Sequence, residues 1–505
     1  MSRKIIKVQG DDYVESALAL DELRESLDTI RTAVEQISPD VAVDKALALP
    51  PLTTPTPAMN LPLELMAYIF TITCHHDAHQ FSSEDERKEI ISPFFLGSIC
   101  SQWRTIVWST PMIWSRISLY LITSRYETQI ELLQDHLTRS GDLPLTINLM
   151  FQEENDWSSR LPTQLVDFLV TTAPRWYCAN LVLPEAWYPL LAGIKQNLRF
   201  LTILMTQSLW KDCRLPPSKR KHLDLFADAP SLIDVHLNGY YISDVDIPWK
   251  QLRRLKAQHV YLDECFYLLP RVSRLESCKI YTILPDQTRR VEPQAISLPF
   301  LTHLRIHCYM WDHMTLLFSN LDAPSLDTLE ISDPYRGPLP PLPALLDAMG
   351  CKLTRLKLYD FTFKGEESNL IEFIRGISTL TDLDIRLEMP GSTSLRDILT
   401  ELLGPATTSS DTGEETYFLP CLRHFTFYGM LTPREGFQHA LLHLLQARRP
   451  PVSERIRKVQ PLLTFTLEVG WITLPSWSKD TVEQLQTLMR NGLIITGIDL
   501  NRPPV

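Results

Sequence analysis

The chain has 505 residues, of which 44% are hydrophobic and 9% aromatic. This length suits two to four domains, and the composition is that of an ordinary globular protein. The 60 acidic residues outnumber the 49 Lys and Arg, so that the formal net charge is −11. This balance argues against nucleic acid as a partner, because replacing phosphate counterions requires an excess of cations.

Hydropathy and cysteine usage exclude further classes. No apolar run reaches the roughly 18 residues of a membrane span, and the amino-terminal sequence lacks the apolar stretch of a signal peptide. The nine cysteines include no C-x-x-C pair, which argues against a disulfide framework or a zinc ribbon. We therefore expect no membrane partner, and a reducing location in the cytoplasm, the nucleus or both.

Residues 1–47 are predicted to form an amphipathic helix or a short coiled-coil arm. Apolar residues recur there at alternating intervals of three and four, at Leu20, Leu23, Leu27, Ile30, Val34 and Ile37. Such a helix packs on its own protein, self-associates or binds a partner helix. Residues 48–60 are rich in Pro and Thr without periodicity, which indicates an extended linker.

Two helical segments follow between residues 61 and 120. Leu61-Pro62 begins the first, since Pro suits a first helical turn, and Leu65, Ile69 and Ile72 have helical spacing. The second follows Ser92-Pro93, and one helical spacing continues through Leu96, Ile99, Cys100, Trp103, Ile106 and Val107. Ser109–Pro111 ends it. A polar interruption, Cys74–Arg87, separates the segments, and the pattern predicts a small all-α module.

Four features of this module occur together: an L-P-x-E start, the pair Ile69-Phe70, C-x-x-W-R from Cys100, and P-x-x-W from Pro111. Their combination resembles the F-box, although the interruption after Cys74 is long for that family. The resemblance implies docking on the Skp-type adaptor of a cullin-RING ubiquitin ligase. Carried over by position, the adaptor-binding candidates are Leu61, Pro62, Leu63, Leu65, Ile69, Trp103 and Pro111.

Residues 121–174 are predicted to contain connecting helices and a strand. Within them, Arg139–Leu145 spells R-S-G-x-x-P-L. This step resembles the F-box-like proteins abundant in mushroom-forming fungi, in which it leads into leucine-rich repeats. The resemblance covers residues 61–147 by motif.

From residue 175 to about 500 the pattern L-x-x-L-x-L recurs at irregular intervals of 20 to 42 residues. Its first positions are Cys178, Leu198, Leu232, Leu252, Val272, Leu301, Leu326, Leu353, Leu380, Leu422 and Leu462. Leucine-rich repeats run about 20–29 residues, so the larger intervals indicate insertions. Two units also share the string Asp-Ala-Pro-Ser-Leu, at 228–232 and 322–326.

Each unit offers a short strand and a return segment, and only stacking of units buries a continuous core. We expect an α+β protein overall, with an N-terminal helix, a small all-α F-box module and an α/β leucine-rich-repeat solenoid of horseshoe shape. Spacing alone also allows an all-α solenoid, but β-branched and aromatic residues at the strand positions favour strands.

Side chains alternate along a strand, so the residues between the buried leucines are predicted to form the concave surface. The candidate target-binding residues there are Arg254, Lys256, Arg274, His303, Arg305, His307, Arg355 and Lys357. This strip is either an ordinary solvated sheet face or a patch that captures an acidic or phosphorylated peptide, because Arg supplies charge-assisted bonds to such groups.

Three other segments carry weaker signals. Cys74–His79 contains metal-capable side chains, but no second Cys/His pair completes a tetrahedral site. Ser218–His222 is basic and is either a nuclear address or an ordinary loop. Gly404–Thr416 is low in apolar residues and is predicted to be an insertion.

The sequence holds no spacing that demands catalysis, so we expect neither enzymatic activity nor a cofactor. The favoured function is that of a substrate-recognition subunit of an SCF-type ligase, whose repeats bind an unknown protein target. The alternative is an interaction scaffold that uses the same domains without ubiquitin transfer. A third possibility is a standalone leucine-rich-repeat sensor.

Overall fold

The structure is a computed structural model. It describes residues 61–74, 91–151, 163–182, 187, 198–204, 224, 226–238, 242–258, 260–284, 293–308, 310–332, 342–359, 367–387, 395–406, 416–429, 437–449, 459–469 and 477–498. The predicted arm (1–47) and linker (48–60) lie outside these ranges. The chain divides into two compact units, residues 1–69 and 70–505, and only residues 61–69 of the first are described.

Thirteen α-helices lie in the described ranges. They are α1 (Leu63–Cys74), α2 (Pro93–Ile99), α3 (Ser101–Ser109), α4 (Pro111–Trp114), α5 (Tyr126–Arg139), α6 (Thr163–Thr172), α7 (Leu262–Leu268), α8 (Trp311–Ser319), α9 (Leu342–Ala348), α10 (Glu367–Ile374), α11 (Leu395–Leu403), α12 (Phe437–Ala447) and α13 (Lys479–Arg490).

The second predicted helix is two helices, because the chain is extended at Cys100 (φ −157°, ψ 169°). Cys100 therefore ends α2 and begins α3. Its Sγ accepts a hydrogen bond from the Trp103 backbone N–H at 3.4 Å, which satisfies one of the free donors at the start of α3. The continuous helical spacing of the apolar residues concealed this break.

Nineteen strands lie in the described ranges. They are β1 (Arg116–Leu121), β2 (Leu145–Phe151), β3 (Trp176–Leu181), β4 (Phe200–Leu204), β5 (Asp234–Asn238), β6 (Arg254–Gln258), β7 (Val260–Tyr261), β8 (Ser277–Leu284), β9 (Ile296–Ser297), β10 (His303–Cys308), β11 (Leu321–Asp322), β12 (Thr328–Ser332), β13 (Arg355–Tyr359), β14 (Asp382–Leu387), β15 (Pro405–Ala406), β16 (Thr416–Tyr417), β17 (His424–Gly429), β18 (Thr464–Val469) and β19 (Ile494–Thr496).

Fifteen of these strands form one parallel sheet, so the fold is mixed α/β and the all-α alternative is wrong. Fourteen strands follow the order β1-β2-β3-β4-β5-β6-β8-β10-β12-β13-β14-β17-β18-β19, and β7 pairs with β8. The order of the strands across the sheet is thus their order along the chain. The sheet begins at Arg116, ahead of the residue 175 at which the repeat pattern was expected to start.

The recurring apolar positions form the buried side of this sheet. Leu304, Leu329 and Leu356 share one register on three neighbouring strands, and each is at most 3% exposed. Return helices pack against the same side, where Trp311 of α8 meets Phe373 of α10 with ring centroids 5.5 Å apart. One continuous apolar cluster runs from Ile117 to Ile495.

The predicted starting residue of the L-x-x-L-x-L pattern is wrong in two of its repeats. In β3 the residues in register with Leu201 and Ile203 are Ala179 and Leu181, so the pattern begins at Trp176 instead of Cys178. In β8 the buried pair is Cys278 and Ile280, so that unit begins at Leu275 instead of Val272. In both repeats another apolar residue lies in or near the strand, Cys178 in the first and Val272 in the second. The predicted pattern started from that residue.

Candidate binding surfaces

The start of α1 exposes apolar side chains. The first helical hydrogen bond runs from the Met66 N–H to the Pro62 carbonyl at 3.1 Å. Of the adaptor-binding candidates on this segment, Pro62, Leu63 and Leu65 are exposed, whereas Leu61 and Ile69 are partly buried. Tyr68 is the most exposed large apolar residue here, at 64%, and was not among the predicted contacts.

In the second unit, α2 also presents an apolar side to solvent. Phe95 and Ile99 are about half exposed and lie four residues apart, hence on the same side of the helix. Ile72 and Met112 are exposed as well. Half of the fourteen exposed large apolar residues in the described part of the chain thus fall between Leu63 and Met112. This concentration is one along the sequence, and each unit contributes its own exposed apolar positions, of the kind found at interaction sites.

The C-x-x-W-R residues make internal contacts. Trp103 packs against Phe70 in a tilted arrangement with ring centroids 4.7 Å apart, and Arg104 Nε donates to the Gly97 carbonyl at 2.9 Å. Trp103 is only partly exposed. Its visible role is therefore packing, while the adaptor contact expected from its position stays a prediction.

The P-x-x-W residues close the same group of helices. Pro111 is exposed at the first position of α4, and Trp114 is fully buried. The Trp114 indole N–H donates to the Val107 carbonyl at 2.8 Å, and the Arg139 guanidinium lies 5.1 Å from its ring centroid. Because Arg139 is the last residue of α5, this contact connects α4 to the beginning of the sheet domain.

The R-S-G-x-x-P-L step is held by a distant arginine. Arg175 donates to the Leu143 carbonyl through Nε at 3.0 Å and to the Ser140 hydroxyl at 2.8 Å. Gly141 has a φ of +55°, a conformation in which glycine is the least strained residue. The motif thus forms a specific turn between α5 and β2.

The side of the sheet opposite the apolar core carries the polar residues, as the alternation predicts. In β5, β6, β10, β13 and β14 the polar positions are partly exposed and the apolar positions between them are buried. We call this side the polar face. Strand β12 departs from the pattern, because Thr328, Glu330 and Ser332 are buried on it too.

Long neighbouring side chains cover Glu330. Its carboxylate is 4% exposed and lies 3.2 Å from Lys357 Nζ, 3.6 Å from Arg305 Nη1 and 3.4 Å from His303 Nε2. A buried carboxylate requires such partners. The structure therefore brings together three of the predicted target-binding residues around an anion of the chain itself.

These residues belong to one register across the sheet. His236, Lys256, Lys279, Arg305, Glu330 and Lys357 are aligned on the neighbouring strands β5, β6, β8, β10, β12 and β13. We call this set the central row. Lys279 was not predicted, because the wrong phase assigned to β8 placed Arg274 on the face instead. The alternation Cys278-Lys279-Ile280 would have revealed it.

The placement of Arg274 on the sheet face is wrong. Arg274 is exposed and precedes β8, which begins at Ser277. It lines a surface groove of about 690 Å³ together with Trp249 and Lys250. The groove lies beside the ends of the strands and not on the polar face.

The two outermost cations of the predicted strip are already ion-paired. Arg254 Nε lies 2.8 Å from Asp234 Oδ2, and Arg355 Nη2 lies 2.7 Å from Asp327 Oδ2. Both arginines are about half exposed, so these pairs contribute little to stability. They do reduce the positive charge that the two arginines offer to a ligand.

Arg305 is fixed between two aromatic rings. Its guanidinium carbon lies 5.1 Å from the Tyr281 centroid and 4.9 Å from the Tyr359 centroid, distances at which cation–π attraction operates. His307 follows on the same strand and is partly exposed. Arg305 is therefore held by aromatic contacts as well as by its ion pair with Glu330.

His236 and His303 on the polar face are neutral at physiological pH, because the pKa of each is lowered. Burial, and secondarily the Lys256 ammonium, lower the pKa of His236 to about 4. Burial also lowers the pKa of His303, against the opposing effect of the Glu330 carboxylate. The positive charge of the central row is thus carried by its lysines and arginine.

The metal-capable segment is described only at Cys74, since His75–His79 lies outside the described residues. Burial raises the pKa of the Cys74 thiol to about 12, which leaves it protonated at neutral pH. The basic segment Ser218–His222 also lies outside the described ranges. The eight described cysteines are all free thiols.

No known protein-family model matches the chain, and no curated protein is significantly similar to it. None of the helices in the described ranges is both long and apolar enough to cross a membrane. The assignment of a function therefore depends on the two kinds of surface just described, the exposed apolar positions of α1, α2 and α4 and the polar face of the sheet.

Proposed function

We propose that this protein is the non-catalytic substrate-recognition subunit of an SCF-type cullin-RING ubiquitin ligase. In this proposal the segment Leu61–Trp114 is an F-box that docks on a Skp-type adaptor, and the sheet domain is a leucine-rich-repeat array whose polar face binds the target protein. Ubiquitin transfer would then depend on proximity, because the receptor holds a lysine of the target near the charged ubiquitin carrier.

One observation carries the proposal: the exposed large apolar residues are concentrated in the segment whose motifs resemble the F-box. Leu63, Leu65 and Tyr68 in the first unit, and Phe95 and Ile99 in the second, are each about half exposed or more. Full burial of one such side chain contributes about 1.5–3 kcal/mol. A docked partner would supply this burial. The buried register of the L-x-x-L-x-L leucines supports the repeat assignment.

Adaptor capture by the full-length chain tests the docking half of the proposal. Replacing Leu65 and Tyr68 together with Asp, and separately Phe95 and Ile99 with Asp, should each weaken capture of a purified Skp-type adaptor by about tenfold or more, since each buries charge in an apolar contact. Phe300→Asp and Ile494→Asp provide the matched control, as both residues are nearly 60% exposed but lie far along the chain.

Undiminished capture by both aspartate pairs would contradict the docking surface. Capture of the adaptor and a cullin, followed by ubiquitination of a target that requires this chain, separates the ligase subunit from the scaffold that lacks ubiquitin transfer. If the wild-type chain captures no Skp-type adaptor, the ligase-subunit and scaffold hypotheses are both excluded, and the standalone leucine-rich-repeat protein is left.

A further inference from the structure

The central row contains cations side by side. Lys256, Lys279 and Arg305 occupy the same register on three neighbouring strands, which lie about 4.8 Å apart. Like charges at this separation repel one another, and such neighbours destabilise a sheet. The chain carries a net charge of −11, so the row is not a consequence of a basic composition.

The chain's own anion compensates this charge only in part. Glu330 contacts Arg305 and Lys357. The next residue in this register beyond Lys357 is Asp384, which pairs with Arg386 at 3.3 Å. Within the described residues, the four cations from Lys256 to Lys357 thus share one carboxylate, Glu330. Lys256 and Lys279 form no ion pair within the described ranges. Burial lowers the pKa of Lys279, and Lys256, Arg305 and Lys357 act in the same direction against Glu330. Lys279 thus lies between the cations Lys256 and Arg305 in this register.

Two uncharged groups at the beginning of the row also lack partners. The ring nitrogen Nε2 of His236 and the side-chain oxygen Oδ1 of Asn238 are buried and make no hydrogen bond with described residues. Buried polar atoms are normally hydrogen-bonded. Because both atoms have almost no accessible surface, a ligand that lies along the row does not reach them, and they carry no part of the proposal below.

We propose that the central row binds an extended acidic segment of a partner protein, with its carboxylates spread over Lys256, Lys279 and Arg305. This deepens the proposed function by naming the class of target, and it rests on that function. The cations from Lys256 to Lys357 span four strand intervals, about 19 Å, which is too long for one phosphate group to contact. Alternate side chains of an extended peptide recur about every 6.8 Å, so several carboxylates reach the row.

The test measures binding of a fluorescein-labelled octapeptide of alternating Glu and Ser to the full-length chain by fluorescence anisotropy. The same peptide with Gln in place of Glu is the uncharged probe. We expect the Glu peptide to bind at least about tenfold more tightly at about 50 mM NaCl, with the difference shrinking at about 300 mM as salt screens the charges.

Two double variants with equal charge change localise the binding. Lys256→Glu with Lys279→Glu should raise the dissociation constant at least about tenfold, because it reverses the two charges of the row that form no ion pair within the described ranges. The control, Lys352→Glu with Lys479→Glu, changes two exposed lysines off the polar face and should stay within about twofold. The first variant removes repulsion next to Arg305, so its thermal unfolding midpoint should not fall.

Equal binding of the Glu and Gln peptides, or unchanged affinity of the Lys256→Glu/Lys279→Glu variant, would overturn the proposal. If a neutral peptide with one phosphoserine binds more tightly than the Glu peptide, the row recognises a single phosphate group and not an acidic segment. Tighter binding of a single-stranded oligonucleotide of equal charge would show an unspecific polyanion surface. Adaptor capture involves other residues, so failure of either experiment leaves the other interpretable.

Discussion

Glu330 is the most deeply buried carboxylate on the polar face of the sheet. Its side chain is 4% exposed, and the three basic side chains around it are between 24% and 39% exposed. Burial of one carboxylate beneath longer cations costs desolvation energy that close pairing offsets. Arg305 and Lys357 reach Glu330 from the strands on either side of β12. Their side chains cover Glu330, which is therefore buried although it lies on the polar face.

Replacing Glu330 with Gln should destabilise the protein by about 1–3 kcal/mol, because the cations around it lose a buried counter-charge. The free energy of unfolding in urea measures the effect. Glu276→Gln is the matched control, since Glu276 pairs with Arg253 at 3.2 Å while 48% exposed, and should cost less than about 0.5 kcal/mol. Equal effects of the two changes would contradict the role given to Glu330.

At the scale of the element, a buried arginine closes α11. The Arg448 guanidinium is fully buried and donates to the carbonyls of Leu402, Leu403 and Leu419 at 3.0, 2.7 and 2.6 Å. Burial lowers its pKa to about 10, which still leaves it charged at neutral pH. A cation at the carboxyl end of a helix interacts favourably with the helix dipole.

Arg448→Lys should destabilise the protein by about 3 kcal/mol, because a single ammonium cannot reach the three carbonyls that the planar guanidinium joins. The thermal unfolding midpoint and the urea midpoint should both fall. Arg490→Lys, at the exposed end of α13, changes the same side chain in solvent and should leave both midpoints almost unchanged. A lysine that preserved stability at position 448 would show that the carbonyls find other donors.

Elements were predicted well where one periodicity dominates, and poorly where local geometry overrides it. Leu301, Leu304 and Ile306 define the register of β10 because all three must be buried, and the structure confirms it. The break at Cys100 escaped the pattern, since a change of backbone direction at one residue leaves the apolar spacing intact. Lys279 escaped it because β8 follows two apolar residues, Val272 and Leu275, that fit the repeat equally well.

At the scale of the whole molecule, each of the fourteen strands on the main path of the large sheet hydrogen-bonds to the strands before and after it on that path, and β7 joins β8. Stability in such an arrangement is approximately a sum of contributions from adjacent units. Strand β19 is an edge strand, and Ile494 on it is 59% exposed. The carboxyl-terminal edge should therefore open more readily than the middle of the sheet.

Leu485→Ala tests this at the buried side of α13, where Leu485 is fully buried. The cavity should destabilise the neighbourhood by about 2–5 kcal/mol. Amide hydrogen exchange should accelerate in β18 and β19 and remain unchanged in β5 to β10. A uniform acceleration across the sheet would show instead that the sheet unfolds as one cooperative unit.

The sequence by itself predicted strands and, in most repeats, their polar side, because apolar residues recur at every second position of a strand that is buried on one side. It did not determine how charges on that side pair. Glu330, distant in sequence from both Arg305 and Lys357, joins them only because parallel strands align equal positions of successive units. Tertiary structure also decided which apolar residues of the Leu61–Trp114 segment are exposed, since packing of α2 to α4 buries Trp114 and leaves Phe95 in solvent.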